Sequence, residues 1–325
     1  MKTEILAMLR DAEGYVSGQE LCEKFGVSRT AVWKAINQLK EAGYEIEAVT
    51  NKGYRLVSVP DLLSEEELVS RIHTEWAGQE IHYFGSIDST NIKAKEYAEN
   101  GAPNGTLVVA DQQTAGRGRR GRSWESPKGT NIAMSLVLKP EINPNHASMI
   151  TLVAAMAVAR AIEDVIGEPV QIKWPNDIVL HGKKIVGILT EMSAQFDYIN
   201  HIVVGIGMNV NTETFPEELQ ETASSLYLET GKKQNRALII ERTMVHWEHY
   251  YGEYLKTEDL SSLMKEYNSM LVNMGRQVRV LDPREPFEGK AMGITKTGEL
   301  IVDTWESRKL VASGEVSVRG IYGYV

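Results

Sequence analysis

Cysteine is almost absent from this 325-residue chain: Cys22 stands alone, which excludes an internal disulfide and a cysteine-rich zinc site and suits a reducing cytoplasm. Set between Leu21 and Glu23 in an expected helix, it reads as a packed thiol rather than a nucleophile. Long apolar runs are missing too. The most apolar stretch, "MITLVAAMAVARAI" from Met149 to Ile162, is broken by Arg160 and is short for a bilayer span, so a buried helix is expected there. The N-terminus has no uninterrupted apolar segment of the kind a secretion signal needs. A soluble cytoplasmic protein with no membrane partner is the expectation. Both standard nucleotide cradles are absent: there is neither GxxxxGK followed by Ser or Thr nor a strand followed by GxGxxG in the dinucleotide pattern.

What is present begins with enough apolar material, 42% of residues, for a chain of this length to fold as two or three domains. The net charge is -9, yet acidic and basic side chains balance over residues 1–60, so the acidic excess belongs to the rest of the chain. Ile5, Leu6 and Leu9 form a first helical stripe. Ser17 and Ser28 stand where they can cap two further helices, and Glu20 completes capping-box spacing with Ser17. Val32, Ile36 and Leu39 line one face of the third helix and leave Arg29, Thr30, Lys34, Asn37 and Gln38 on the other. "YEIEAVTN" and "GYRLVSV" then flank a tight turn at Asn51–Gly53, with Lys52 and Arg55 beside it. This is the outline of a winged helix-turn-helix, in which Ser28, Arg29, Thr30, Lys34, Asn37, Gln38, Lys52 and Arg55 are the DNA-facing candidates; a small helical protein-binding domain remains the alternative.

"VPDLLSEEELVSRI" supplies a turn at Pro60 and a second capping box, Ser64 with Glu67. From there to about residue 270, the strand-like runs "GTLVVADQ", "NIAMSLVL", "VQIKWPNDIVL", "KIVGILTEM" and "HIVVGIGMNV" alternate with helices over 147–165 and 236–255. A mixed α/β layer is expected. After Leu271 come short alternating runs with turns at "KTGE" and "SGE", a small barrel-like β domain. The boundaries so read are 1–60, 61–270 and 271–325.

Between two of the central strands lies "GRGRRGRSW", Gly116 to Trp124. Its glycines let backbone approach a ligand, and Arg117, Arg119, Arg120 and Arg122 can pair with anionic oxygens. Residue types alone leave nucleic-acid binding, phosphate binding and a plain solvent loop open.

Together with "DSTN" at 88–91, "QTAGRGR" at 113–119, "KWPNDI" at 173–178, "GKKIVGIL" at 182–189 and "GIGMNVN" at 205–211, this loop resembles the biotin protein ligases. With the helix-turn-helix, nearly the whole chain resembles the bifunctional type that is both biotin ligase and biotin-operon repressor. The resemblance implies a multidomain α+β fold with a C-terminal SH3-like β-barrel. It places Ser89, Thr90, Asn91, Gln113, Arg117, Gly118, Arg119 and Lys184 around biotin. It puts Arg119, Arg122, Trp124, Asn176, Lys184 and Asn209 toward the nucleotide, and Lys184, Arg119, Lys173 and Asp177 in catalytic positions. Trp124 stacks on adenine or anchors the loop; Asp177 orients reacting groups or pairs with Lys173; Gly187 and Gly205 admit a ligand or mark bulges. Lys296, Arg308 and Lys309 are exposed candidates or surface charge. The implied substrates are biotin and ATP, with Mg2+, no dedicated protein metal site, and biotinyl-5'-AMP as intermediate and corepressor. The implied partners are a biotin carboxyl carrier protein domain, operator DNA and a second copy of the chain.

Overall fold

A computed structural model describes residues 1–282, 285–314, 317–321 and 323–325. Three helices open the chain: α1 (Lys2–Asp11), α2 (Gly18–Phe25) and α3 (Arg29–Glu41). Ser17 Oγ accepts the Glu20 N–H at 3.0 Å and Ser28 Oγ the Ala31 N–H at 3.3 Å, so each hydroxyl satisfies a backbone donor that its helix cannot. The hairpin of β1 (Glu45–Val49) and β2 (Gly53–Ser58) follows, with Val49 opposite Gly53. The segment before α2 pairs with this wing through reciprocal 2.8 Å bonds between Val16 and Tyr54. A Cβ on Gly53 would stand 2.0 Å from the Val16 carbonyl oxygen, so that pairing requires glycine.

The short α4 (Glu65–Val69) leads into a seven-stranded sheet. Its elements are β3 (Ile81–Phe84), α5 (Thr90–Glu99), β4 (Leu107–Ala110), β5 (Asn131–Leu138), α6 (Ile150–Ile166), β6 (Gln171–Lys173), β7 (Asp177–Leu180), β8 (Lys183–Ala194) and β9 (Ile199–Asn209). The strand order is β3-β4-β5-β9-β8-β7-β6, antiparallel except for the β3–β4 pair. The two-residue period of β9 sorts its side chains: Ile202, Val204, Ile206 and Met208 enter the main core, while Val203 enters a smaller core under α5. Gly205 and Gly207 share the face of Val203. That face, beyond the reach of α5, is where the site forms. The expected strand over 170–180 is instead the β6–β7 hairpin, because Pro175 has no N–H to continue a ladder. The apolar stretch from 149 is a buried helix, α6, whose Arg160 pairs with Glu163 and Glu266.

Beyond α7 (Leu226–Thr230), α8 (Arg236–Thr257) packs along α6, and α9 (Met264–Met270) precedes the last sheet. This has β10 (Gln277–Leu281), β11 (Phe287–Ile294), β12 (Leu300–Asp303), β13 (Arg308–Val311) and β14 (Ser317–Gly320), antiparallel in the order β13-β12-β11-β10-β14. Val278, Val280, Ala291, Ile294, Leu300 and Val302 share the main core, and the Trp174 indole donates to the Gly298 carbonyl at 3.0 Å. The last sheet is thereby fused to the central one.

Ser64 caps α4 as expected, accepting from the Glu67 N–H at 3.1 Å. The Glu67 carboxylate does not close a capping box. It is fully buried and takes Arg10 of α1 at 2.8 Å, the Tyr44 hydroxyl at 2.5 Å and Arg71 at 2.5 Å, while Arg71 also reaches Glu241 of α8 at 3.3 Å. This cluster ties the helix-turn-helix to the central fold. Burial pulls the Arg10 guanidinium below its ordinary range and pushes the Tyr44 hydroxyl above its own, so Tyr44 stays a donor. Removing the charge from such a cluster leaves two part-buried arginines under-compensated. Glu67→Gln is expected to lower stability by about 3 kcal/mol, read as an earlier urea midpoint; an unchanged midpoint would mean the cluster contributes no net stability.

Candidate functional site

The floor of the site is bare backbone. Gly187 of β8 pairs with Gly207 of β9, and Leu189 pairs with Gly205. A Cβ on Gly205 would lie 2.0 Å from Asn91 Oδ1, and one on Gly207 would lie 2.5 Å from the Trp124 indole. On Gly187 it would meet Lys184 Nζ and Trp124 at 3.1 Å. The glycines therefore make room for protein side chains that build the pocket. None of them marks a bulge, since the register shifts of β8 against its neighbours fall between Lys184 and Val186, opposite Ile178/Val179 of β7, and at Ser193/Ala194.

One wall is polar and comes from the start of α5. Ser89 is the N-cap residue, its N–H bonded to Asp88 at 2.7 Å. Thr90 donates to Gln113 Oε1 from its N–H at 2.8 Å and its hydroxyl at 3.0 Å. The hydroxyl of Ser135 of β5, which no motif singled out, lies within hydrogen-bond distance of Thr90 Oγ1 at 2.8 Å and of Asn91 Oδ1 at 2.6 Å. Asn91 Nδ2 reaches Glu191 at 2.7 Å. The neighbouring Gln112 turns its carboxamide to Ser86 instead, at 3.1 Å.

The opposite wall is cationic. Gly116–Trp124 folds as a small hairpin, with Trp124 N–H on the Gly116 carbonyl at 2.9 Å and Gly118 N–H on the Arg122 carbonyl at 2.7 Å. Its turn spends positive φ on Arg120 (60°) and Gly121 (72°). A Cβ on Gly116 would stand 2.4 Å from the Trp124 carbonyl, so the hairpin needs glycine at its base. Arg117, Gly118, Arg119 and Arg122 line the pocket. Arg119 is held by Asn176 Oδ1 at 2.7 Å and by the carbonyls of Ser313 and Gly314 at 2.7 and 2.5 Å, so it joins the loop to the last sheet. Burial draws its guanidinium below the ordinary arginine range. The Trp124 ring packs on the glycine floor and also faces the pocket. Its buried indole N–H has no acceptor among the described residues, a cost that a bound acceptor would relieve.

At the β7–β8 end, Lys184 Nζ lies 2.6 Å from Asp177 Oδ1 and 5.5 Å from the centre of the Trp124 ring. Its backbone is clamped by bonds to Thr222 and Ser224 at 2.8 and 2.9 Å. The carboxylate of Asp177 thus pairs with Lys184, and not with Lys173. Lys173 is buried behind the pocket wall under the ring of Tyr324, 3.4 Å from its centre. Burial, then the charges of Lys184, Arg319 and Arg122, bring its ammonium down to about 8 against the pull of Asp177. Asn209 is also outside the pocket: it bonds the Ser224 carbonyl at 3.1 Å and Asn131 at 3.3 Å and braces the strand ends. Lys296, Arg308 and Lys309 form surface pairs with Asp259, Asp303 and Glu285.

This glycine floor between a polar wall and an arginine hairpin can be set against known proteins. The biotin/lipoate A/B protein ligase family matches residues 83–209, an HTH domain residues 2–55, and the biotin protein ligase C-terminal domain residues 274–319. A bifunctional ligase/repressor BirA from Bacillus spizizenii is 44% identical over 306 residues, 94% of each chain. The chain belongs to the bifunctional biotin ligase/repressors. The ligase is also 28% identical to the Escherichia coli K12 BirA over 320 residues, 97% of this chain and 96% of that one. Its fold matches a biotin protein ligase from Aquifex aeolicus in complex with biotin and ATP, with a TM-score of 0.66 and 30% identity, over 74% of this chain and 99% of that chain. The chain is accordingly a biotin protein ligase and a transcriptional repressor. No helix among the described residues is long and apolar enough to cross a membrane.

On the repressor side of the ligase, α3 exposes Arg29, Thr30, Lys34 and Gln38, with Asn37 half-buried. Ser28 spends its hydroxyl on the cap. Trp33, 57% exposed, stands one helical turn from both Arg29 and Asn37 and shares their face; the helical period that identifies the buried stripe could have found it. On the wing, Lys52 and Arg55 lie over the Tyr15 ring at 5.6 and 5.0 Å, and Arg55 and Tyr15 both bond Glu47 at 2.7 Å.

The depressed ammonium of Lys173 has a measurable consequence. A lysine whose folded pKa is about 8, against about 10.4 when unfolded, costs stability in full below pH 8, and the cost fades as pH rises toward 10.4. Lys173→Met should therefore be more stable than the wild type at pH 7, by on the order of 2 kcal/mol, with the two converging by about pH 10. Parallel denaturation curves at pH 7 and pH 10 check this; equal stability at pH 7 would mean that Lys173 is hydrated.

Proposed function

We propose that the ligase joins biotin to ATP as biotinyl-5'-AMP and passes the biotinyl group to a lysine of a carboxyl carrier domain, such as that of acetyl-CoA carboxylase or pyruvate carboxylase. The observation that carries this reading is the convergence of a neutral hydrogen-bonding wall and a cationic wall over one glycine floor. Ser89, Thr90, Asn91 and Gln113 offer the directional donors and acceptors that the ureido ring requires. Arg117, Gly118, Arg119 and Lys184 face the carboxyl end, and Arg122, Trp124 and Asn176 the nucleotide. A biotin carboxylate oxygen attacks the α-phosphorus and pyrophosphate leaves, although both partners are anionic. Lys184 and Arg119 lower that repulsion and stabilise charge gathering on phosphorus. The acceptor amine, having lost a proton, then attacks the acyl carbonyl and AMP leaves with the bonding pair.

Among the described residues no group of three His, Cys, Asp or Glu could hold a metal ion, and Asp177 is engaged by Lys184 and Tyr324. These residues do not build a resident magnesium site; magnesium belongs to this reading only as the counter-ion that ATP brings. In the same reading the adenylate is the corepressor. It orders the arginine hairpin, favours a homodimer and sets two α3 helices on two half-sites of an operator in the cytoplasm.

Arg119→Ala is expected to shorten retention of preformed biotinyl-5'-AMP at least tenfold, while affinity for free biotin falls less than threefold. Dissociation kinetics and calorimetry test this, and equal losses would remove the division of labour. Binding to a biotin-operon promoter fragment should require biotin plus MgATP; active ligase with ligand-independent or absent binding would leave the N-terminal module a structural or differently targeted one.

A further inference from the structure

The last strand delivers the end of the chain to the catalytic centre. Ser317 of β14 lines the pocket, and after Gly320 the backbone folds back on itself through a bridge to Gly323. A Cβ on Gly320 would stand 2.1 Å from the Val325 carbonyl oxygen, so the reversal depends on glycine. The reversal places Tyr324 behind Asp177. Its hydroxyl donates to Asp177 Oδ2 at 2.5 Å, while Asp177 Oδ1 lies 2.6 Å from Lys184 Nζ. The face of its ring covers the Lys173 ammonium at 3.4 Å. Burial and the adjacent carboxylate push the hydroxyl far above its ordinary range, so it remains protonated and donates.

Three constraints meet in this one side chain. A carboxylate bonded at one oxygen can still turn about its terminal torsion, whose preferences are broad. Ion-paired at Oδ1 with Lys184 and hydrogen-bonded at Oδ2 by a rigid aromatic arm, Asp177 cannot. Lys184 carries its charge on a flexible four-carbon stem, so the fixed Asp177 oxygen determines where the ammonium stands. Lys173, meanwhile, stands opposite Asp177 in the β6–β7 register and feels its charge, and the aromatic face gives its cation another partner.

We propose that Tyr324 is a positioning residue of the ligase reaction: its hydroxyl locks Asp177 so that the Asp177–Lys184 pair has one geometry, and its ring keeps Lys173 out of that pair. The inference rests on the reading that Lys184 meets the reacting oxygens. It makes the end of the chain a working part of a centre whose other groups lie on the central sheet and the arginine hairpin.

The experiment uses the full chain, with biotin and MgATP, and follows single-turnover adenylate formation and the biotin KM in Tyr324→Phe, Asp177→Asn and the double variant. Phe keeps the ring on Lys173 and removes only the hydroxyl, and melting curves verify folding. Tyr324→Phe is expected to slow adenylate formation about tenfold with the biotin KM within twofold, and to change the rate less than twofold once Asp177 is Asn. A wild-type rate in Tyr324→Phe overturns the proposal, as does the same tenfold loss in both backgrounds, which would show that Tyr324 does not act through Asp177. A wild-type rate in Asp177→Asn overturns instead the underlying reading of the Asp177–Lys184 pair.

Discussion

The bare backbone at the centre of the large sheet is the constraint on which the site depends. Side chains at 187, 205 and 207 would occupy the space that Trp124 and Asn91 now fill. Without Trp124 against the floor, the arginine hairpin loses its anchor, and without Asn91 the polar wall loses its link to Glu191. The floor is kept flat from behind: the alternate residues of β8 and β9 are buried in the main core, beneath α6 and α8. A close-packed backing of this kind has little give, so the geometry of the glycine floor itself is set by the strands.

Charge follows the same economy of placement. The chain carries a net charge of -9, yet Arg117, Arg119, Arg120, Arg122 and Lys184 crowd one pocket, with Asp177 as the carboxylate among its described lining residues. Gathering cations is unfavourable unless each is held. Arg119 is held by two main-chain carbonyls of the last sheet and by Asn176; Lys184 is held by Asp177, which Tyr324 holds in turn. The cationic wall is thus assembled partly from the C-terminal sheet, although the arginines themselves lie far earlier in the chain.

A parallel arrangement connects the DNA-binding module. Glu67 gathers Arg10, Tyr44 and Arg71, and Arg71 reaches Glu241 of α8. At the start of the same helix, buried Arg236 spans Asp61 of the connecting segment and Asp111 at the end of β4, at 3.0 and 2.7 Å. Asp111 is two residues from Gln113 of the polar wall. Two separate charge clusters, both reaching α8, therefore join the helix-turn-helix and the connecting segment to the central fold.

Much of this was written locally. Ser17 and Ser28 mark their helices because a cap is a contact over three residues, and the alternation of β9 announces its buried face for the same reason. The motif strings brought the pocket residues to notice because each is contiguous. Local reading failed where a distant group intervened: Glu67 has capping-box spacing, but Arg10, Tyr44 and Arg71 took its carboxylate; Lys173 and Asn209 lie in the right strings, yet their side chains turn to Tyr324 and to Ser224 and Asn131. Ser135, Glu191 and Tyr324 belong to none of the motifs that carry the family resemblance. Period, capping and contiguous motifs, all properties of neighbouring residues, were enough to settle the elements, the family and most of the residues that line the pocket. Which charge pairs with which, and that Tyr324 reaches Asp177 beside the pocket, was settled only by folding, because the deciding contacts, Arg119 to Ser313 and Tyr324 to Asp177, join residues remote from one another in the chain.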